Sequence, residues 1–211
     1  MNTQSKVVGF GLLCLIVSFT QHAFAAEPIP GGFTEAVLEQ VAEGKIVPEV
    51  RKDTEDEFHA YHRAYYHKVS PDAFLKLAIN HPKYASLFEE VEDARTLEAN
   101  SDLTELTYAM DLKIKVGFIS FFLNGKGRHK VTYPETADGE GQVFNELLNY
   151  KDKVTTLTQN IRLVPYKEGM LVEQELVLKM HPDASSKKTI KDYLKKFLTR
   201  YISTFRTELE K

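Results

Sequence analysis

The sequence predicts a single α+β domain in which an antiparallel sheet is covered by one long C-terminal helix. Three stretches carry that prediction. From Met170 to Met180 the apolar residues keep a period of two: Met170, Val172, Leu176, Leu178 and Met180 share one face, with Glu173, Glu175 and Lys179 on the other. Leu106, Tyr108, Met110, Leu112, Ile114 and Val116 alternate in the same way with Glu105, Thr107, Asp111, Lys113 and Lys115. After His181-Pro182-Asp183 the period changes. Ile190, Tyr193, Leu194, Phe197, Leu198, Tyr201, Ile202, Phe205 and Leu209 recur every three or four residues, one side of a helix over Ser186–Glu210. Such a helix is about 36 Å long at 1.5 Å per residue, and a domain of this size has a radius of gyration near ~16 Å. The helix therefore runs across most of the molecule, as the lid of an apolar container.

The remaining elements follow in order. Lys6, the apolar run Val7–Phe19 and Ala23-Phe24-Ala25 form a secretory signal with cleavage after Ala25. A helix over Phe33–Glu43 stops at Gly44, and the charged stretch Lys52–Glu57 reads as a linker. Phe58–Val69, rich in Tyr and His, reads as a strand. Ser70-Pro71-Asp72 starts a short helix, because Ser accepts orphan amides and proline has none to satisfy; Asn80-His81-Pro82 breaks it. A second short helix presents Tyr84, Leu87, Phe88 and Val91. Asn124-Gly125 signals a hairpin turn, and a strand ends at Tyr133. Gln142–Asn149 fits strand or helix. Thr155, Leu157, Gln159, Ile161 and Leu163 face one way on a strand, which turns at Tyr166-Lys167-Glu168-Gly169. The chain thus divides into a signal at 1–25, a helix and linker at 26–57, and the main domain at 58–211.

Composition bounds the function. The only cysteine, Cys14, lies inside the signal, so the exported domain has no disulfide, thiol nucleophile or cysteine metal site. The chain holds 27 basic and 30 acidic residues, and removing Lys6 with the signal leaves a net charge near −4, which argues against a nucleic-acid partner. The basic side of the last helix, with Lys187, Lys191, Lys195, Lys196 and Arg200, reads as a solvated face or as a surface drawn to anionic lipid.

Local motifs add a resemblance. Val69-Ser70-Pro71-Asp72-Ala73-Phe74, Asn80-His81-Pro82-Lys83-Tyr84 and Val91-Glu92-Asp93-Ala94-Arg95-Thr96-Leu97 resemble the START-like (SRPBCC) superfamily, in its polyketide cyclase and coenzyme-Q-binding branches. The resemblance covers Phe58 to the C-terminus, and the helix before Phe58 lies outside it. It implies a helix-grip fold, a curved antiparallel sheet wrapped around the C-terminal helix. It also implies an apolar molecule or lipid bound between the two, in a superfamily that includes enzymes. One fold with that range does not decide function.

Several side chains are candidates for the interior. Tyr108, Gln159 and Gln174 interrupt otherwise apolar faces, so each needs a hydrogen-bond partner from the protein, water or a ligand. Met110 on the strand, and Phe197 and Tyr201 four apart on the helix, complete the candidate ligand-binding set. Val116–Leu123 is apolar on both alternate faces; it reads as a strand buried on both sides or as a cavity lip, with Phe118, Phe121 and Phe122 touching membrane or ligand. His59 and His67 lie on one strand face about 26 Å apart, with His62 opposite, so they do not share a metal; a helical segment would bring His59 and His62 together. No catalytic residue can be named, since phosphate loops, nucleophile elbows and inward carboxylates on the late strands are all missing. The expectation is an exported binder of an apolar small molecule or lipid, with transient membrane contact and no cofactor. An enzyme acting on an apolar substrate and a protein-interaction domain are the alternatives.

Overall fold

A computed structural model describes residues 33–52, 54, 56–116, 119–136, 139–148, 154–181 and 187–211; for 52, 114–116, 119–123, 187–190 and 193 only the backbone is described. The elements run α1 Glu35–Ala42, β1 Val47–Lys52, β2 Glu57–His67, α2 Pro71–Ala78, a 3-10 turn His81–Lys83, α3 Tyr84–Leu87, β3 Val91–Ala99, β4 Glu105–Val116, β5 Ile119–Thr132, β6 Gly141–Leu147, β7 Val154–Tyr166, β8 Gly169–Met180 and α4 Lys187–Leu209. Among the described residues the strands form one eight-stranded antiparallel sheet in the order β1-β2-β8-β7-β6-β5-β4-β3. Strands β3 to β8 form a meander. The chain crosses from β2 to the far edge through α2 and α3, and the meander brings β8 back beside β2.

Local chemistry sets the boundaries. The Ser70 hydroxyl accepts from Ala73 N at 3.2 Å and Pro71 opens α2; Thr34 caps α1 by accepting from Val37 N. Lys167, at φ 51°, turns β7 into β8. Helix α4 lies on the inner face of the sheet and packs on β1, β2 and α2. Its buried residues Leu194, Leu198, Ile202 and Phe205 keep the spacing of one helical stripe. Helix α1 covers the opposite face, where Phe33 and Val41 meet Val164 and Leu171. None of the helices among the described residues is long and apolar enough to cross a membrane.

Three readings need correction, one strand is added, and one open assignment is settled. Asn124-Gly125 is not a turn: it lies within β5, opposite Asp111 and Met110, and β4 meets β5 at the pair Val116–Ile119. Asn124 donates to Asp111 Oδ1 at 2.7 Å, and a Cβ at Gly125 would lie 3.1 Å from Leu147 Cδ1, a tight contact that a small shift of that side chain would relieve. Val47–Lys52, unread in the sequence, is an edge strand whose mixed polarity suits one covered face. The second short helix stops at Leu87, leaving Phe88 and Val91 outside it, and Gln142–Leu147 is strand. A bulge between Val154 and Thr156 leaves Thr155 exposed rather than beside Leu157. The signal at 1–25 and Phe118 lie outside the described residues, as do the side chains of Phe121 and Phe122.

Candidate binding site under the C-terminal helix

Along β2 and β4 to β8, most polar side chains of the inner face gather at one level. There β2 contributes His62, β8 Gln174, β7 Gln159, β6 Asn145, β5 His129 and β4 Tyr108. The register puts all six on the same side of the sheet: His62 opposes Gln174, Asn145 opposes both Gln159 and His129, and Tyr108 opposes Gly127, two residues from His129. Gln174 opposes Ile161, so Gln159 is its diagonal neighbour. These residues form a polar belt across the sheet, and it separates two apolar clusters. On one side Ala64, Val172, Ile161, Ile202 and Phe205 belong to the larger cluster; on the other Ala60, Leu176, Leu178, Leu194 and Leu198 form the smaller.

One arm of the belt is satisfied internally. Tyr108 donates to Asn145 Oδ1 at 2.8 Å, and Asn145 Nδ2 donates to Gln159 Oε1 at 3.3 Å. Gly127 makes this possible, because a Cβ there would sit 2.2 Å from the Tyr108 ring. The His81 ring stacks on Tyr108 at 4.5 Å; its Nδ1 bonds Thr96 Oγ1 at 2.9 Å and its Nε2 bonds His129 Nδ1 at 3.3 Å. Burial drives the His81 imidazole down to about 4, drives that of His129 to about 3 with help from His81, and raises the Tyr108 phenol to about 12. All three are neutral near pH 7.

The other arm is different. Ala60 and Ala64 flank His62 on β2 and let α4 approach closely, so His62 Nε2 lies 3.3 Å from the Lys195 carbonyl oxygen. His62 and Gln174 are both fully buried, yet His62 Nδ1 and both polar atoms of the Gln174 carboxamide have no hydrogen-bond partner. Burial holds the His62 imidazole down to about 4.

The belt also runs toward an open end. Leu106, His129, Val131, Val143, Ile161, Leu163 and Val172 are buried beneath α2, α3 and the end of α4, whereas Met110, Leu112, Gly125, Asn145, Leu147, Leu157 and Gln159, on the same face, are only half-buried. Phe197 and Tyr201 border that open half from α4, also half-buried; Tyr201 stacks on Phe88 and Phe205, and Phe197 packs on the smaller cluster. Two surface hollows of about 330 and 280 Å³ lie at the β3–β4 rim and beside Ser86 and Glu208, away from the belt. Among the described residues, no group of three or more histidines, cysteines or carboxylates is placed to hold a metal.

The structure brings together Tyr108, Gln159 and Gln174 from the sequence reading, with Met110, Phe197 and Tyr201 beside them. Sequence reasoning missed His62, His81, Asn145 and His129. His62 had a usable signal, since β2 alternates and His62 falls on the parity of Phe58, Ala60 and Ala64. His81, in a 3-10 turn, had none.

Comparison with solved structures agrees with this architecture. A STAR-related lipid transfer protein from Xanthomonas axonopodis superposes with a TM-score of 0.55 at 15% identity, over 78% of this chain and 99% of that one. A START superfamily protein from Mycobacterium smegmatis gives 0.54 at 16% identity, over 72% and 97%. The di-domain aromatase/cyclase StfQ of the steffimycin biosynthetic pathway gives 0.56 at 13%, over 74% of this chain and 50% of that one. The chain has a START-like helix-grip fold. No protein-family model and no curated protein matches the sequence.

Proposed function

We propose that this protein is an exported carrier that binds an apolar small molecule or lipid between the sheet and α4, without catalysing a reaction. The observation that carries this reading is the half-buried stretch of the inner face, where Met110, Leu112 and Leu147 surround Asn145 and Gln159 next to the helix. An inner face built only for stability would be covered as fully as its other half, since each apolar Å² left accessible forgoes about 25 cal/mol. A ligand with an apolar body supplies that cover. The lipid transfer named for the Xanthomonas protein and the aromatase/cyclase activity named for StfQ both suit an apolar guest in this fold. Export rests on the Lys6, Val7–Phe19 and Ala23-Phe24-Ala25 pattern, and the carrier would exchange its cargo by transient contact with a membrane.

The enzyme alternative asks for a group that exchanges a proton near neutral pH. Imidazoles held near 3 to 4 and a phenol near 12 do not meet that need, so the carrier reading is preferred. The test is native mass spectrometry and organic extraction of protein isolated from its own cell envelope. A bound apolar compound, absent from a control protein purified alongside, supports the carrier. Ligand-free protein in both measurements contradicts it.

A further inference from the structure

We infer that His62 and Gln174 form a subsite for a hydroxyl group, so the cargo is an apolar alcohol or phenol rather than a carboxylate, an ether or a hydrocarbon. This rests on the carrier reading above and names the chemical class of its cargo. The two residues are cross-strand partners on one face, and both are fully buried under α4. Their unpartnered atoms specify a complement. The Lys195 carbonyl only accepts, so His62 Nε2 must carry the ring proton and donate to it at 3.3 Å. In the neutral ring that leaves Nδ1 as a bare acceptor. Gln174 adds one acceptor, Oε1, and two donors on Nε2, none of them partnered.

The set therefore offers both acceptors and donors within one cross-strand pair. A carbonyl or ether oxygen accepts only, and would leave His62 Nδ1 unmet. A carboxylate would face two acceptors, and neither member of the pair carries a positive charge to offset its burial. A hydroxyl donates to His62 Nδ1 and accepts from Gln174 Nε2 with a single oxygen. The pair lies where the two apolar clusters meet, so a hydroxyl held there leaves an apolar body lying along either cluster. A buried group left unsatisfied costs about 1–3 kcal/mol, enough to discriminate strongly between an alcohol and its ether.

The test uses full-length exported protein, stripped of cargo, with two matched pairs: 1-decanol against decyl methyl ether, and 2-naphthol against 2-methoxynaphthalene. Affinities are measured by calorimetry for the natural sequence, for His62→Phe, which removes the acceptor for a hydroxyl proton, and for Gln174→Met, which keeps the side-chain volume and removes that residue's unpartnered atoms. The expected result is that at least one hydroxyl compound binds tenfold or more tightly than its ether, that His62→Phe abolishes the preference, and that Gln174→Met weakens alcohol and ether by a similar factor. Gln174→Met should also unfold at the same temperature or higher, because it removes unsatisfied groups; His62→Leu replaces His62→Phe if the latter does not fold. Equal affinity for alcohol and ether overturns the hydroxyl subsite and leaves the carrier standing, with water as the group that completes the pair. Preference that survives the loss of the His62 imidazole overturns the assignment to these residues. If none of the four compounds binds, this inference fails; the carrier fails with it only if envelope-derived protein also yields no apolar compound.

Discussion

The two halves of α4 meet the sheet by different means. From Tyr201 to Leu209 the helix is fixed from several directions. Phe205 packs among Phe74, Tyr84, Phe88 and Tyr201 with ring centroids 4.5 to 6.1 Å apart, and Tyr66 donates to the Ile202 carbonyl at 2.8 Å. Arg206 donates to the Gly44 carbonyl, Lys83 pairs with Glu208, and Glu210 accepts from His67 N. The half before Tyr201 rests on a smaller cluster through Leu194 and Leu198, crosses β2 over alanines, and faces His62 and Gln174. One half is an aromatic core whose polar groups are matched. The other carries unmatched polar atoms and borders a half-covered apolar surface. In the carrier proposed above, stability rests on the last turns of α4 and binding on the turns before them.

That division can be broken or sharpened by substitution. Phe205→Ala empties the centre of the aromatic cluster and should cost about 3–5 kcal/mol in denaturant unfolding, with binding unchanged in whatever fraction stays folded. Acid should act on the belt itself. The imidazoles of His62 and His81 are held down to about 4, against about 6.5 in an unfolded chain. As pH falls the unfolded chain takes up protons first. Stability is therefore full above about pH 6.5 and falls toward pH 4, by about 1.4 kcal/mol per pH unit for each group. Unfolding measured at pH 7, 6, 5 and 4 checks this, and a flat profile would mean that the belt opens to water before it titrates.

Smaller effects separate the halves further. Phe197→Ala removes a half-buried ring at the open side and should cost about 2 kcal/mol or less, below the range for a fully packed Phe, while weakening ligand binding. A loss equal to that of Phe205→Ala would move Phe197 into the solid core. Tyr66→Phe deletes only the hydroxyl that bonds Ile202, whose carbonyl keeps its place in the helix, so thermal unfolding should show a loss near ~1 kcal/mol.

The sequence made the frame of this molecule legible because periodicity is local. The strands over Leu106–Val116 and Met170–Met180, the Ser70-Pro71 start and the long helix α4 all appear where they were read. Asn124-Gly125 misled because glycine also occurs within strands, and the long pairing of β5 with β4 carries the chain past it. Tyr108, Gln159 and Gln174 were visible as breaks in apolar faces. Which of them find partners was not visible, since that depends on strands far apart in sequence: Asn145 bonds Tyr108 and Gln159, and among the described residues none bonds the Gln174 side chain. His81 joined them only through the crossover that folds its turn against β3 to β5.

The proposed division into a closed core and an open binding half has a direct readout in the methionines. Apart from Met1 the methionines are Met110, Met170 and Met180; Met110 is half-buried at the margin of the larger cluster, and Met170 is fully buried within it. Methyl-¹³C methionine NMR on cargo-free protein, titrated with 1-decanol and 2-naphthol, should show the Met110 signal moving to saturation and the Met170 signal holding still. A Met170 shift that equals or exceeds that of Met110, or a fixed Met110 signal through the titration, would contradict the account.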